Sequence, residues 1–332
     1  MKAILVGFGF IGRSLVKAIR DKLEVLRSLD PDFKLVGVSD VEGYLLDQGG
    51  LDLVKLSEAR RVADYPGLVE GGSLELIERS GADILIEATP TNVVDGQPGL
   101  SHIERALELG MHVVTSNKGP LVVAFRRLHE LASRKGVKLL YEATVAGATP
   151  LFSLVRGCLR GDRVRRVYGI LNGTTNYILS RMHFDGLDFE EALREAQALG
   201  LAERDPSYDI DGVDAACKVV ILANALMGMD VKLSDVKRRG IRGVTREAVR
   251  LARRAGYAIK LIAYAGERLE VAPRLVPLGH PVCVHGALNA VHLELDVAGG
   301  ITIIGPGAGR ETVSAMINDL ITVLSEANHA KR

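Results

Sequence analysis

The sequence predicts an α/β protein in two parts: a doubly wound parallel sheet, then an α+β half with a mainly antiparallel sheet. Three observations carry that expectation. Up to residue 142, short apolar runs (K-A-I-L-V, K-L-V-G-V-S, A-D-I-L-I-E, M-H-V-V-T) alternate with helix-patterned segments, the order that builds parallel sheets. Later, Y-A-I-K-L-I-A-Y, R-L-E-V-A-P-R-L-V and A-V-H-L-E-L-D-V follow one another with no helix between them, which argues antiparallel pairing. A length of 332 residues accommodates two domains. The boundaries fall at 1–142, 143–300 and 301–332, the last segment (strand, glycine loop, helix) returning to the first domain.

The first element is the strand K-A-I-L-V, ending in G-F-G-F-I-G. Gly7, Gly9 and Gly12, with Phe10 and Ile11 between them, fit G-x-G-x-x-G, and a helix periodic in Ile11, Leu15, Ala18 and Ile19 follows. The first glycine permits a tight turn, the second admits a pyrophosphate to the backbone, and the third lets helix and strand pack closely. The order strand, turn, helix is the context that gives this weak pattern weight, and it predicts a Rossmann-type sheet binding NAD or NADP. The second strand ends at Asp40, where an acid holds the adenosine ribose hydroxyls of NAD. Val41 and Glu42 follow it, with no basic residue for a 2′-phosphate; Arg13 could supply one, although an arginine in a first helix turn is more often solvated, so the reading leans to NAD and leaves NADP open. Residues 44–80 read as polar and helix-patterned. Thr89 and Pro90, on the run to Asn92, leave the carboxyl end of the next strand on the cofactor side. After a helix at 100–109, Lys118 sits just past the strand M-H-V-V-T-S-N-K; a solvated loop lysine and a functional one weigh about evenly there. A helix at 120–134 and the strand V-K-L-L-Y-E-A-T complete the alternation.

E-A-T-V-A-G-A-T-P (142–150) is a small-residue crossing into the second half, and read alone it is a plain hinge. R-V-R-R-V-Y-G-I-L-N-G is strand-like, and the helix T-T-N-Y-I-L-S-R-M is capped by Asn172 or Thr174. Helices at 188–199 and 212–228 follow. Glu203 to Leu222 concentrates the chemistry: Glu203, Asp205, Asp209 and Asp211 run into an apolar helix holding Asp214 and Lys218, four apart and so on one face. An exposed ion pair is the ordinary fate of that spacing. The helix after Lys218 is apolar nearly all round, as buried helices are, and a buried ammonium needs a partner; such groups cluster at sites.

Composition excludes several classes. A net charge of +1 leaves no basic face, arguing against nucleic acid and anionic membranes as partners. No apolar stretch reaches a membrane span, and the start is not a signal peptide. Cys158, Cys217 and Cys283 make no C-x-x-C, which fits reduced thiols and a cytoplasmic location. The eight histidines show no zinc spacing, and no G-x-S-x-G elbow occurs. Absent Trp, scarce Gln and plentiful Lys, Arg and Glu lean toward a thermophile.

With the fingerprint, N-K at 117–118, E-A-T-V-A-G, N-G-T-T-N-Y-I-L at 172–179 and D-x-x-G-x-D-x-x-x-K at 209–218 in this order, the chain resembles the homoserine dehydrogenases over essentially its whole length. The resemblance implies NAD(P)-linked interconversion of L-homoserine and L-aspartate 4-semialdehyde, in threonine, methionine and isoleucine biosynthesis. It implies Lys218 as the proton-transferring lysine, beside Asp214 and Lys118. It implies Glu203 and Asp214 at the amino acid substrate, Lys118 between nicotinamide and substrate, and Gly309 near the cofactor. By charge, Glu203 and Asp209 would meet the substrate's α-ammonium and Lys118 or backbone N–H groups its carboxylate, with Thr174 a further candidate at the substrate. Backbone oxygens of Glu142, Val145, Gly147 and Thr149 would hold a monovalent cation, sodium or potassium. Neither a regulatory module nor a kinase portion is expected. The antiparallel half would leave a sheet exposed in a monomer, so a homodimer is expected. Rival readings are another dehydrogenase of amino acids acting on an α-amine, and a non-catalytic NAD-binding protein. Aspartate-semialdehyde dehydrogenase would need a nucleophilic cysteine in a polar loop, which the sequence does not offer.

Overall fold

A computed structural model describes residues 1–307 and 309–329. It divides into two compact units, 1–144 with 309–332, and 145–308. Ala308 and the last three residues of the expected 301–332 segment lie outside the described residues.

The first unit follows the chain as β1 (Lys2–Val6), α1 (Phe10–Asp21), α2 (Leu23–Leu29), β2 (Lys34–Ser39), β3 (Tyr44–Leu46), α3 (Leu53–Glu58), α4 (Ser73–Arg79), β4 (Ile84–Glu87), α5 (Gly99–Glu108), β5 (His112–Thr115), α6 (Lys118–Lys135) and β6 (Leu139–Leu140). The sheet order is β3-β2-β1-β4-β5-β6. From β1 the chain winds outward one way through β2, and from β4 the other way through β5, so the topological switch point lies between β1 and β4. Val6, Glu87 and Thr115 stand level at the carboxyl ends of their strands, and crevices for ligands open there. Each of these central strands is buried on both faces, as a doubly wound sheet requires.

The unit departs from the sequence reading at its edge. Residues 44–80, read as helix-patterned throughout, begin with β3, antiparallel to β2, so the otherwise parallel sheet is mixed. A three-residue strand is too short to show a period of two.

The second unit contains α7 (Leu151–Cys158), β7 (Val164–Ile170), α8 (Gly173–Phe184), α9 (Phe189–Ala198), α10 (Ser207–Ile210), α11 (Val213–Met227), β8 (Lys237–Arg238), α12 (Arg246–Arg254), β9 (Tyr257–Ala265), β10 (Leu269–Pro277), β11 (Leu288–Leu295) and β12 (Gly300–Pro306). Its sheet order is β12-β11-β7-β9-β10-β8. Every pairing is antiparallel except the short β8 with β10.

Helix α13 (Arg310–His329) belongs to the first unit. Val313, Met316, Ile317, Leu320, Val323 and Leu324 join Leu15, Val16 and Ile19 of α1 in one apolar core. The unit boundaries fall at 144/145 and 308/309 rather than 142/143 and 300/301. The turn Glu142–Thr144 is tied to the first unit, where Glu142 N–H donates to Asp319 Oδ2 at 2.8 Å. Strand β12 stays with β11 as far as Pro306.

Candidate functional site

In the first unit the three fingerprint glycines differ in what surrounds them. Gly7 has φ +99°, and a Cβ there would come within 2.6 Å of the Ala88 backbone at the end of β4. Around Gly9, the residue before α1, a Cβ would meet nothing within 4 Å. A Cβ on Gly12 would overlap the Gly7 carbonyl oxygen. The turn thus packs tightly on both sides and is open in the middle, above the uncapped N–H groups of Phe10 and Ile11. Helix α1 carries no acid in its first turn, leaving its positive end to an anion. These features fit a pyrophosphate.

Glu87 organises the neighbouring loops. It is fully buried and accepts from Thr89 N–H at 3.0 Å, from the Thr89 hydroxyl, and from Thr115 Oγ1 at 3.0 Å. Asn117 donates to Thr89 Oγ1 at 3.2 Å and to the Pro90 carbonyl at 3.4 Å, while its own Oδ1 accepts the Gly119 N–H at 3.0 Å. This network fixes Thr89 and Pro90 against the start of α6, whose first residue is the half-buried Lys118. Asp40, directly after β2, accepts from Glu42 N–H at 2.8 Å and Val62 N–H at 3.2 Å. Gly309 is exposed just before α13.

In the second unit Gly212, at φ +77°, opens α11, and every residue from Asp214 to Asn224 is buried. Lys218 is 7% exposed and Asp214 5%. Lys218 Nζ donates to Asp214 Oδ2 at 2.7 Å and to the Leu171 carbonyl at 2.6 Å. Asn172 is the N-cap of α8, with Oδ1 accepting from Thr175 N–H at 2.9 Å. Its Nδ2 donates to Asp209 Oδ1 at 2.7 Å and to Asp214 Oδ2 at 2.9 Å. Burial, then the Asp214 charge, pushes the Asp209 carboxyl above its usual range, against the pull of Asn172, Thr174 and Lys218. The Thr174 hydroxyl donates to the Leu201 carbonyl at 2.7 Å.

Of the four acids ahead of α11, Asp209 turns inward. Asp205 accepts from Ser207 N–H at 3.1 Å, Asp211 pairs with Arg242 at 2.6 Å, and Glu203 has an exposed side chain with its carbonyl held by Gln197 at 3.0 Å. Val145, Gly147 and Thr149 lie on a turn in which Ala146 (φ 60°) and Gly147 (φ 57°) are both left-handed, and the Ala146 carbonyl accepts the Thr149 N–H at 3.1 Å. Thr149 Oγ1 and the Asn289 amide are buried, border the 305–307 strand end, and have no hydrogen-bond partner among the described residues.

Comparison with known proteins bears on both units. Residues 7–142 match the model of the homoserine dehydrogenase NAD binding domain, and residues 150–321 match that of homoserine dehydrogenase. The chain belongs to the homoserine dehydrogenase family. A homoserine dehydrogenase of Methanocaldococcus jannaschii is 44% identical over 97% of this chain and 98% of its own. An NAD(+)-dependent homoserine dehydrogenase of Pseudomonas canavaninivorans is 38% identical over 98% and 97%. A putative homoserine dehydrogenase from Archaeoglobus fulgidus superposes with a TM-score of 0.90 at 41% identity, covering 98% of this chain and 99% of that one. A hyperthermophilic archaeal homoserine dehydrogenase in complex with NADPH superposes at 0.84 with 28% identity, covering 98% of each chain.

Within this family member, the structure gathers Asp209, Asp214 and Lys218 at one point, and the glycine turn beside Thr89. Three residues escaped the sequence reading. Asn172 was legible as a cap and not as a bridge between carboxylates. Glu87 reads as one more residue of an apolar strand. Lys260, fully buried in β9, donates from Nζ to Asn176 Oδ1 at 2.7 Å and Ser180 Oγ at 3.2 Å, and lies 3.2 Å from His285 Nδ1; in the sequence it reads as a lone lysine in an apolar strand.

Proposed function

We propose that this chain interconverts L-homoserine and L-aspartate 4-semialdehyde with NAD or NADP, and that Lys218 is the group that moves the proton. The carrying observation is the buried ammonium of Lys218, held by the Leu171 carbonyl at 2.6 Å and Asp214 at 2.7 Å. An ammonium has three N–H donors; two are committed to the protein, and the third serves a substrate oxygen. When bound, the nicotinamide supplies or accepts the hydride. As the aldehyde is reduced, negative charge grows on its oxygen, and Lys218 both stabilises that charge and delivers the proton; in the reverse direction it takes the proton from the hydroxyl. Asp214 orients the ammonium. Asp209, Glu203 and Thr174 receive the α-ammonium end of the substrate, and Lys118 its carboxylate beside the cofactor. The cofactor is held by Gly7, Gly9, Phe10, Ile11, Gly12, Asp40, Thr89, Pro90 and Gly309.

The cation reading rests on main-chain oxygens of Glu142, Val145, Gly147 and Thr149. The left-handed turn at Ala146 and Gly147 and the Thr149 hydroxyl, which has no partner among the described residues, support a hard monovalent ion there. The ion would add positive charge and rigidity to the turn.

The homodimer reading is supported by one sheet face of the second unit. Tyr168 and Tyr264 stack with ring centroids 6.5 Å apart, and His292 lies 4.8 Å from Tyr168. Ile304 on the same face of β12 is 50% exposed, and apolar and aromatic patches of this kind mark self-association. Sedimentation at micromolar concentration giving only monomer would remove it. A cytoplasmic setting and a place in threonine, methionine and isoleucine biosynthesis follow from the same reading.

The test is oxidation of L-homoserine followed with NAD and with NADP, with and without sodium or potassium. Hydride transfer that requires ammonia would favour an α-amine dehydrogenase. Cofactor binding with no turnover of either substrate would favour a binding protein.

A further inference from the structure

We infer that Asn172 is a positioning residue for the reaction: its single side-chain amide ties Asp209 to Asp214 and thereby fixes the carboxylate that holds Lys218. The inference deepens the reading of Lys218 as the proton-transferring group and rests on it.

The amide is held at both ends. Oδ1 accepts from Thr175 N–H at 2.9 Å and Thr175 Oγ1 at 3.0 Å, and Nδ2 donates to Asp209 Oδ1 at 2.7 Å and Asp214 Oδ2 at 2.9 Å. A carboxamide has two N–H donors and an oxygen with two lone pairs; both donors and one lone pair are in use, and the second lone pair shares the single Thr175 hydroxyl hydrogen with the Asn172 main-chain carbonyl, 3.1 Å from that hydroxyl. A flipped amide would face two carboxylates with its oxygen and an N–H donor with its nitrogen, so the orientation is settled by the surroundings. Asn172 is 5% exposed, which makes any unmade hydrogen bond costly.

Residues 171 and 172 therefore grip the same ammonium twice. Leu171 does so directly through its carbonyl, and Asn172 indirectly, because Asp214 Oδ2 accepts from both Asn172 Nδ2 and Lys218 Nζ. Both residues sit where β7 ends and α8 begins, so strand register sets the position of the ammonium. A buried carboxylate, Asp214, and a half-buried one, Asp209, within reach of one nitrogen would repel each other. A neutral double donor is the side chain that holds them together without adding charge, and no hydroxyl can do the same, having a single hydrogen.

Capping alone would also explain an asparagine here, and the two roles separate by substitution. Asn172→Ser retains a good N-cap and loses the bridge; Asn172→Asp retains size and cap acceptor, loses both donors, and serves if the serine variant does not fold. The expected result is a roughly hundredfold fall in kcat for homoserine oxidation, unchanged binding of NAD(P)H, and an acid limb of the kcat/KM profile moved to higher pH. In a Lys218→Ala background the same substitution should cause no further loss, since groups acting as a unit are not additive. Wild-type kcat and pH profile in a folded Asn172→Ser or Asn172→Asp variant would overturn the inference, as would a full additional loss in the Lys218→Ala background. Failure of the underlying reading looks different: Lys218→Ala alone would then keep its turnover.

Discussion

Lys218 Nζ stands 2.7 Å from Asp214 Oδ2, one turn earlier on the same helix, and both residues are more than nine-tenths buried. Exposed pairs at this spacing contribute little to stability; a buried pair has a different meaning, because removing one partner strands the other. Lys218→Ala is expected to lower turnover by about a hundred- to ten-thousandfold, the range of a lost general acid–base group. NAD(P)H binding, followed by nucleotide fluorescence, should stay within about twofold of wild type, since the ammonium bears on the proton rather than on nucleotide affinity. Turnover near the wild-type rate would dismiss the assignment.

The glycine turn makes a prediction in two halves. A Cβ at Gly12 would overlap the Gly7 carbonyl, whereas at Gly9 it would meet nothing within 4 Å. Gly12→Ala should therefore destabilise the first unit by about 1–3 kcal/mol, the ordinary cost of overpacking. Gly9→Ala should leave the melting temperature nearly unchanged and weaken the nucleotide, because the methyl group occupies the approach to the α1 N-terminus. Thermal melts and nucleotide titrations on the two variants check it; equal effects of both on stability would contradict the geometry.

Much of this was legible because the signals were local. The glycine spacing, the strand–helix alternation and the Asp214–Lys218 interval each lie within a few residues, and chain geometry converts them directly into a turn, a sheet and a shared helix face. What the sequence hid was non-local. Which of four acids turns inward depends on Asn172, 37 residues upstream of Asp209. The burial of Lys260 depends on α8 supplying Asn176 and Ser180, which no pattern within Y-A-I-K-L-I-A-Y reveals. The antiparallel β3 depends on pairing with β2 rather than on its own three residues.

Cofactor preference turns on Asp40 and a neighbour that only the fold brings near. The residues directly after Asp40 carry no positive charge, yet Asp40 accepts the Val62 N–H at 3.2 Å, which places the Arg60–Arg61 segment beside it. Arg61 pairs with Glu42 at 3.0 Å and Asp64 at 3.2 Å and is largely exposed. Asp40→Ala should raise KM for NAD by about tenfold while changing NADP less, since a ribose hydroxyl loses its acceptor. Arg61→Ala should act in the opposite sense, raising KM for NADP more. Steady-state kinetics with both cofactors decides this, and parallel changes in both variants would refute it.

Lys260 yields a stability prediction with a definite sign. Burial lowers its pKa from 10.5 to about 8, with Cys283 opposing. A base with a depressed folded pKa binds fewer protons in the native state than in the unfolded chain between those two values, so stability rises with pH across that window. The penalty is fully present below the folded value and relieved above the unfolded one, a difference of about 3 kcal/mol. In Lys260→Met the titrating group is gone; the Cys283 thiol, which burial pushes up and Lys260 pulls down, is removed by Cys283→Ala in both proteins so that its own titration does not enter the comparison. Urea unfolding of both proteins between about pH 7 and about pH 10 should therefore show the protein that keeps Lys260 gaining on the variant as pH rises. His285, pushed down to about 4 by burial and then by Lys260 and His183, titrates below this window and does not disturb the comparison. A difference that is flat, or that falls with pH, would mean that Lys260 keeps its proton and that Asn176 and Ser180 solvate the ammonium well enough to offset its burial.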